Sequence, residues 1–274
     1  MERLEYTFKN DTLFKMLFVK NPDLLKRLVA QLLDIRYENI EQFVITNPEM
    51  PPEALGDKFC RLDINMIVDG QRVDLEIQVR DERDFPERTM FHWAREYSTA
   101  LGEGETYIEL PRVIIVSIVS FKLFDCAEYR SEFQALEVTR HTRLTDRMAL
   151  IFFELPKLPK EMSADDESRL WLKLFNAETE EDLRQIEALG VPIMNQAIGA
   201  YRSITATEEF RTLERMRADA RHNEAAALHN ARNEGRREES EKWQKVVEKK
   251  DAALADKDAE IARLRELLGD GEDK

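Results

Sequence analysis

Apolar and polar residues alternate in two neighbouring stretches, residues 59–68 and 71–80, and this period of two predicts two β-strands. Asp69-Gly70 lies between them and is typical of a two-residue hairpin turn. The second strand contains VDLEIQV, so one of its faces is apolar. The other face carries three polar residues, Asp74, Glu76 and Gln78.

The turn also predicts which residues face each other across the hairpin. Val68 pairs with Gln71, and the same register sets Asn65 opposite Asp74 and Asp63 opposite Glu76. Directly opposed residues have β-carbons about 5 Å apart. Two carboxylates at that distance repel by roughly 3 kcal/mol at an effective dielectric constant near 20. A shared proton, an arginine or a metal ion is therefore expected beside Asp63 and Glu76.

Two simpler interpretations of the polar face stay open at this point. Arg61, Arg72 and Arg80 lie close to the carboxylates in the sequence and can form a salt-bridge network with them. Alternatively, the polar row simply faces water, as in many half-exposed antiparallel strands.

The rest of the first 160 residues predicts an α/β domain with a mixed sheet. Helical periodicity indicates two helices within residues 1–36, with Asn10 or Asp11 as the first cap, and another helix over residues 84–101. Near-continuous apolar runs at residues 112–121 and 148–155 are typical of strands buried on both faces.

After Pro159 the pattern is helical only. Capping-box-like starts occur at Ser163, Thr179 and Thr205, and Gly190 is a plausible helix end. We predict a domain over residues 1–160, a helical extension packed on it over 161–204, and a long helix over 205–274.

The end of the long helix predicts a short coiled coil through which two chains form a homodimer. One heptad position, a, holds Val247, Leu254, Ile261 and Leu268, and the other, d, holds Trp243, Lys250, Lys257 and Leu264. Since two lysines weaken this seam, a solvated single helix is the alternative.

Composition favours a globular cytoplasmic protein that does not enter a membrane. The chain has 274 residues, 43% of them hydrophobic, and it contains neither a long apolar stretch nor a secretory leader. Cys60 and Cys126 have no metal-site spacing, so we expect reduced thiols. The net charge of −14 argues against a nucleic-acid partner for the chain taken as a whole. Residues 211–250 nevertheless hold eleven Lys and Arg against eight Asp and Glu.

Five segments, in this order, resemble the PD-(D/E)xK nuclease superfamily, and more closely its recombination-promoting nuclease (Rpn) branch of transposase-like proteins. They extend over roughly residues 8–175. The segments are DTLFKMLF at 11–18, DKFCRLDI at 57–64, VDLEIQV at 73–79, ERTMFHWAREYSTAL at 87–101 followed by GETYIELPRVIIVSIVSF, and IFFELPKL at 151–158.

The resemblance implies a fold, a site and an activity. The fold is a restriction-endonuclease-like core with a mixed central sheet, and the activity is Mg²⁺-dependent (or Mn²⁺-dependent) cleavage of DNA in a bacterial cell. Asp63 and Glu76 match the metal-binding acids, with the Ile77 carbonyl as a further ligand. Gln78 stands where the wider superfamily has a catalytic lysine, so the activity is expected to be modest. Asp11 matches an acid that some members contribute from the first helix, although a helix cap explains it equally well.

Candidate DNA contacts are the basic residues Lys58, Arg88, Arg215 and Arg236. Ion pairing is an equal alternative for Lys58 and Arg88, and a solvated helix for the basic stretch. A second function also fits the sequence: a nuclease fold that has lost its chemistry and acts as an oligomerising interaction module. Gln78 and the acidic composition favour it.

Overall fold

The computed structural model describes residues 2–48, 63–102 and 104–269. The chain divides into two compact units, Met1–Met216 and Arg217–Lys274. Among the described residues, no helix combines the length and the apolar character needed to cross a lipid bilayer.

A six-stranded mixed sheet forms the centre of the first unit, with spatial order β1-β2-β3-β4-β6-β5. Its strands are β1 (Phe43–Ile45), β2 (Ile64–Val68), β3 (Gln71–Gln78), β4 (Val113–Val119), β5 (Arg130–Phe133) and β6 (Met148–Glu154). β3, β4 and β6 run parallel to one another, and the other three strands pair antiparallel. The predicted hairpin and both buried strands are confirmed; residues 59–62 of the first predicted strand lie outside the described residues.

Helices cover both faces of this sheet, as the α/β prediction requires. One face packs against α1 (Asp11–Lys20), α2 (Pro22–Leu32), α4 (Glu167–Asn176) and α6 (Pro192–Thr205) in one large apolar core. On the other face, α3 (Phe85–Ser98) inserts Phe85 beside Phe152 of β6. Every residue of β4 and β6 is buried, which explains why these strands contain almost no polar side chains.

Two predicted helix starts differ from the structure by a few residues. Asp166, rather than Ser163, is the N-cap of α4, because its carboxylate accepts from the Arg169 amide over 2.9 Å. α7 (Glu208–Gly269) likewise begins after Thr207, whose hydroxyl accepts from the Phe210 amide over 3.2 Å, rather than after Thr205. The Thr179 capping box of α5 (Glu180–Glu187) is confirmed.

The long helix α7 is continuous, and its apolar heptad residues are exposed. The relative exposures are 61% for Trp243, 50% for Val247, 58% for Leu254, 48% for Ile261 and 52% for Leu264. An exposed apolar stripe on a long polar helix is what an unpaired coiled-coil strand presents to a partner. The coiled coil itself stays a prediction.

Glu214, near the start of α7, is hydrogen-bonded to the start of α1. It is 7% exposed, and its carboxylate accepts from the Thr12 hydroxyl over 2.5 Å and from the Asn10 amide over 2.8 Å. Asn10 is also the N-cap of α1, since its side chain accepts from the Leu13 amide. The carboxylate therefore joins residues that are 202 and 204 positions apart in the sequence.

We expect Glu214→Ala to lower the free energy of unfolding by about 2 kcal/mol, because the buried Thr12 hydroxyl and the half-buried Asn10 amide lose a charged acceptor. Urea denaturation of the full chain measures the change. Glu209→Ala is the matched control: its ion pair with Lys20 is largely exposed and should contribute less than about 1 kcal/mol. Equal losses for the two variants would contradict the prediction.

Candidate functional site

The β2–β3 hairpin has the predicted register. Val68 pairs with Gln71 and Asn65 with Asp74, and the ladder ends at the pair Ile64 and Leu75. Gly70 in the turn has φ +75°, a conformation that glycine adopts without strain. Asp63 and Glu76 each come one residue beyond the last pair, at the end of the hairpin away from the turn.

Glu76 is buried and is oriented by the neighbouring strand. It is 4% exposed, and its Oε1 accepts from the Ser117 hydroxyl over 2.9 Å. Ser117 is its direct partner on β4, a strand otherwise built of apolar side chains. A serine within such a strand fixes the position of the carboxylate without bringing in a positive charge.

The main chain at Asp63 is held by two side chains from other parts of the fold. Its carbonyl oxygen accepts from Lys15 Nζ over 2.9 Å and from Asn47 Nδ2 over 3.0 Å. Asn47 Oδ1 in turn accepts from the Asn65 amide over 2.8 Å. The start of β2 is therefore anchored both to α1 and to the segment that follows β1.

The sequence pattern placed Asp74 on the polar face of β3, but it did not indicate that this residue is important. Burial, and then the negative charges of Asp63, Glu76 and Glu96, raise its pKa well above the usual value, while Lys15 opposes this. Its Oδ1 is enclosed and has no hydrogen-bond partner, and the same holds for Oδ1 of Asn65 across the ladder. Both residues line a cavity of about 240 Å³.

Arg72, one member of the alternative salt-bridge network, is directed to α3. It lies 3.6 Å from the Glu96 carboxylate and donates to the Glu96 and Thr99 carbonyls. Arg61 lies outside the described residues. Arg72 thus closes one side of the cavity and pairs with Glu96 of α3.

Gln78 and Ile77 lie beside Glu76 on β3. The Gln78 side chain is 9% exposed and donates to the Arg80 carbonyl over 2.7 Å. The Gln78 main-chain carbonyl accepts from Ser120 beyond β4. Because successive carbonyls of a strand point to opposite sides, the Ile77 carbonyl points toward the β2 side, where Asp63 lies.

Two further predicted residues have structural contacts of their own. Asn10 is the cap of α1, so Asp11 is the first residue of that helix, one turn before Lys15 on the same side. Arg88 forms an ion pair with Glu82 and lies over the Phe85 ring, which agrees with the ion-pairing alternative.

The three other predicted DNA contacts are Lys58, Arg215 and Arg236. Lys58 lies outside the described residues. Arg215 and Arg236 are exposed on α7, the first in the first unit and the second in the second unit.

The site thus combines several carboxylates at one end of a hairpin with one buried ammonium group. Within the described residues, no three His, Cys, Asp or Glu side chains are gathered closely enough to hold a metal ion by themselves. Mg²⁺ commonly takes one or two protein carboxylates and completes its shell with water and phosphate oxygens. Asp63 and Glu76 are the two carboxylates that could hold such an ion.

Sequence reasoning missed Lys15 and Asn47 as parts of this site. Lys15 lies within the apolar segment LFKMLF, and a lysine surrounded by core positions of a buried helix was the available signal. Asn47 carries no comparable signal, because asparagine is common in loops.

Comparison with known proteins identifies one family. The family model described as PD-(D/E)XK nuclease family transposase matches residues 8–231, which is more than half of the chain. No curated protein and no solved structure matches the chain.

Proposed function

The chain belongs to the PD-(D/E)XK nuclease family transposases, and from this premise we propose that it is a Mg²⁺-dependent DNA endonuclease that acts in recombination or transposition. The observation that carries the proposal is the placement of Asp63, Asp74 and Glu76 at one end of the β2–β3 hairpin, where burial and then the charges of Asp63 and Glu76 raise the pKa of Asp74. Such a cluster calls for a cation.

We propose that Asp63 and Glu76 hold the ion, with the Ile77 carbonyl as a further donor, Asp11 as an alternative carboxylate, and water or phosphate oxygens completing its shell. A divalent ion bound there polarises the phosphodiester and lowers the pKa of a bound water. Ser117 keeps Glu76 in place, and Asn47 and Lys15 hold the main chain at Asp63. Gln78 donates a hydrogen bond to the Arg80 carbonyl and so stabilises the strand next to the carboxylates.

DNA binding in this proposal uses four basic residues. Lys58, Arg88, Arg215 and Arg236 are the candidates, with Arg215 and Arg236 on the exposed surface of α7. Phosphate contacts of this kind make binding depend on salt concentration. The protein would act in the cytoplasm on DNA.

The experiment that tests the function is nicking of supercoiled plasmid by the full-length protein. Open-circular product should form with Mg²⁺ or Mn²⁺ and should not form with EDTA. Absence of cleavage with either ion, over a range of salt concentrations, would contradict the proposal.

A second candidate function is an interaction module without catalytic activity. Gln78 favours it, because its amide lies where a positive charge would assist catalysis and is already bonded to the Arg80 carbonyl. Calorimetry separates the two functions: a folded protein that binds neither Mg²⁺ nor Mn²⁺ would support the module.

We propose, in addition, that α7 pairs two chains, and we expect light scattering at micromolar concentration to give twice the chain mass of 32.1 kDa. Leu254→Lys combined with Ile261→Lys should give monomers, because each charge would enter an apolar seam. Substitution of exposed polar residues on α7, such as Asn230→Lys with Asn233→Lys, is the control and should leave the dimer intact. A monomeric wild-type mass would exclude pairing.

A further inference from the structure

Lys15 is a cation in an unusual place for its residue type. It lies in α1 among buried residues, is itself 2% exposed, and directs its Nζ to the Asp63 carbonyl. An ammonium group is buried at a high cost in free energy unless opposite charges lie nearby. Its burial therefore needs an explanation beyond packing.

The acidic site provides the opposite charges. Asp63, Asp74 and Glu76 gather at the end of the hairpin that Lys15 reaches, and Asp11 lies one turn earlier on α1. The charge of Lys15 lies within this site, since its Nζ is 2.9 Å from the Asp63 carbonyl oxygen.

The polar row of β3 itself supplies no positive charge. Its third member is Gln78, a neutral side chain that donates to Arg80. Arg72, at the other end of β3, pairs with Glu96. Lys15 thus brings a buried positive charge to these acids from a different layer of the fold.

We infer that Lys15 is the fixed counter-charge of the acidic site, a positioning residue that weakens its affinity for divalent cations while favouring an anionic phosphodiester there. This inference rests on the proposed function. It predicts effects of opposite sign for one substitution: loss of the charge should strengthen cation binding and slow DNA cleavage.

Asn47 offers a matched control, because it donates to the same Asp63 carbonyl without carrying a charge. A substitution of Lys15 leaves that hydrogen bond in place, whereas Asn47→Ala removes it and keeps the charge. Lys20→Met is a second control, since it removes a largely exposed charge from the same helix.

The experiment compares full-length wild type with Lys15→Met, Lys15→Gln, Asn47→Ala and Lys20→Met. Calorimetric titration with MgCl₂ and MnCl₂ should give a dissociation constant about threefold lower or better for both Lys15 variants. Their plasmid nicking at saturating Mg²⁺ should fall about tenfold or more. Asn47→Ala should bind the ions no more tightly than wild type, and Lys20→Met should match wild type in both assays. Thermal melting verifies that each variant folds. If Lys15→Met does not fold, the result for Lys15→Gln decides the test.

Unchanged or weakened ion binding in the folded Lys15 variants would overturn the inference, because Lys15 would then only hold the main chain as Asn47 does. If wild type cleaves DNA and the Lys15 variants match it, this inference fails and the proposed function stands. A wild type that neither binds the ions nor cleaves DNA ends both.

Discussion

Asp63→Ala and Glu76→Ala are each expected to reduce Mg²⁺-dependent nicking of supercoiled plasmid by about 1,000-fold or more. Each substitution removes a carboxylate from the pair that we propose binds the ion, and a loss of about 4 kcal/mol of transition-state stabilisation corresponds to that factor. Initial rates of open-circle formation, measured with wild type and both variants at equal concentration, give the ratio.

Two further variants make the test specific. Ser117→Ala removes the hydroxyl that donates to Glu76 and should cost about tenfold, since the carboxylate remains but loses its orientation. Asp146→Asn changes a carboxylate that is 72% exposed and paired with Arg147, and it should cleave as wild type does. Equal rates for wild type, Asp63→Ala and Glu76→Ala would remove the catalytic assignment.

Asp74→Asn is expected to stabilise the metal-free protein by roughly 1 to 3 kcal/mol at pH 8, the range typical for a buried polar atom without a partner. The wild-type carboxylate has one oxygen enclosed without a hydrogen bond and lies among like charges. Asparagine keeps the shape of the side chain and loses the charge. Urea denaturation in EDTA at pH 8 measures the gain.

The effect of Asp74 on the free energy of unfolding depends on pH, and its direction follows from the pKa. Because the folded pKa of Asp74 is raised, the folded state binds this proton more tightly than the unfolded state does. Asp74 therefore destabilises the folded state least at pH values below its unfolded pKa. Its destabilising effect grows as the pH rises toward the folded pKa. The advantage of Asp74→Asn over wild type should accordingly be smaller at acidic pH than at pH 8.

Added Mg²⁺ should narrow the difference in stability between wild type and Asp74→Asn. A ligand that binds the folded state alone, at one hundred times its dissociation constant, stabilises by about 2.7 kcal/mol. Wild type should gain stability from the ion, and Asp74→Asn should gain less, because a negative charge beside the proposed ligands has been lost. A variant that is less stable than wild type in EDTA would show that Asp74 has a structural role instead.

The sequence predicted the hairpin and its register because both depend on local chemistry. Asp69-Gly70 favours a two-residue turn, and the turn sets Asn65 opposite Asp74 without reference to the rest of the chain. The buried strands β4 and β6 could also be predicted, since complete burial leaves an almost unbroken apolar run in the sequence.

Contacts between residues that lie far apart in the sequence could not be predicted from the sequence. Lys15 lies 48 residues before Asp63, and no periodicity indicates that its side chain reaches that carbonyl. The raised pKa of Asp74 depends on burial beneath α3 together with three other carboxylates, which is a property of packing. The edge strands β1 and β5 were missed because three and four residues are too few to display an alternation.

These two edge strands also bear on how chains can assemble. A sheet grows by adding strands at its edges, and each added strand needs a row of exposed amides and carbonyls. Here β1 has only three residues that could pair with an added strand, and β5 has four. The ion pair between Arg130 and Glu132 lies on β5. Joining sheets edge to edge through these two strands would yield few hydrogen bonds in either direction, which disfavours fibrous growth at these edges.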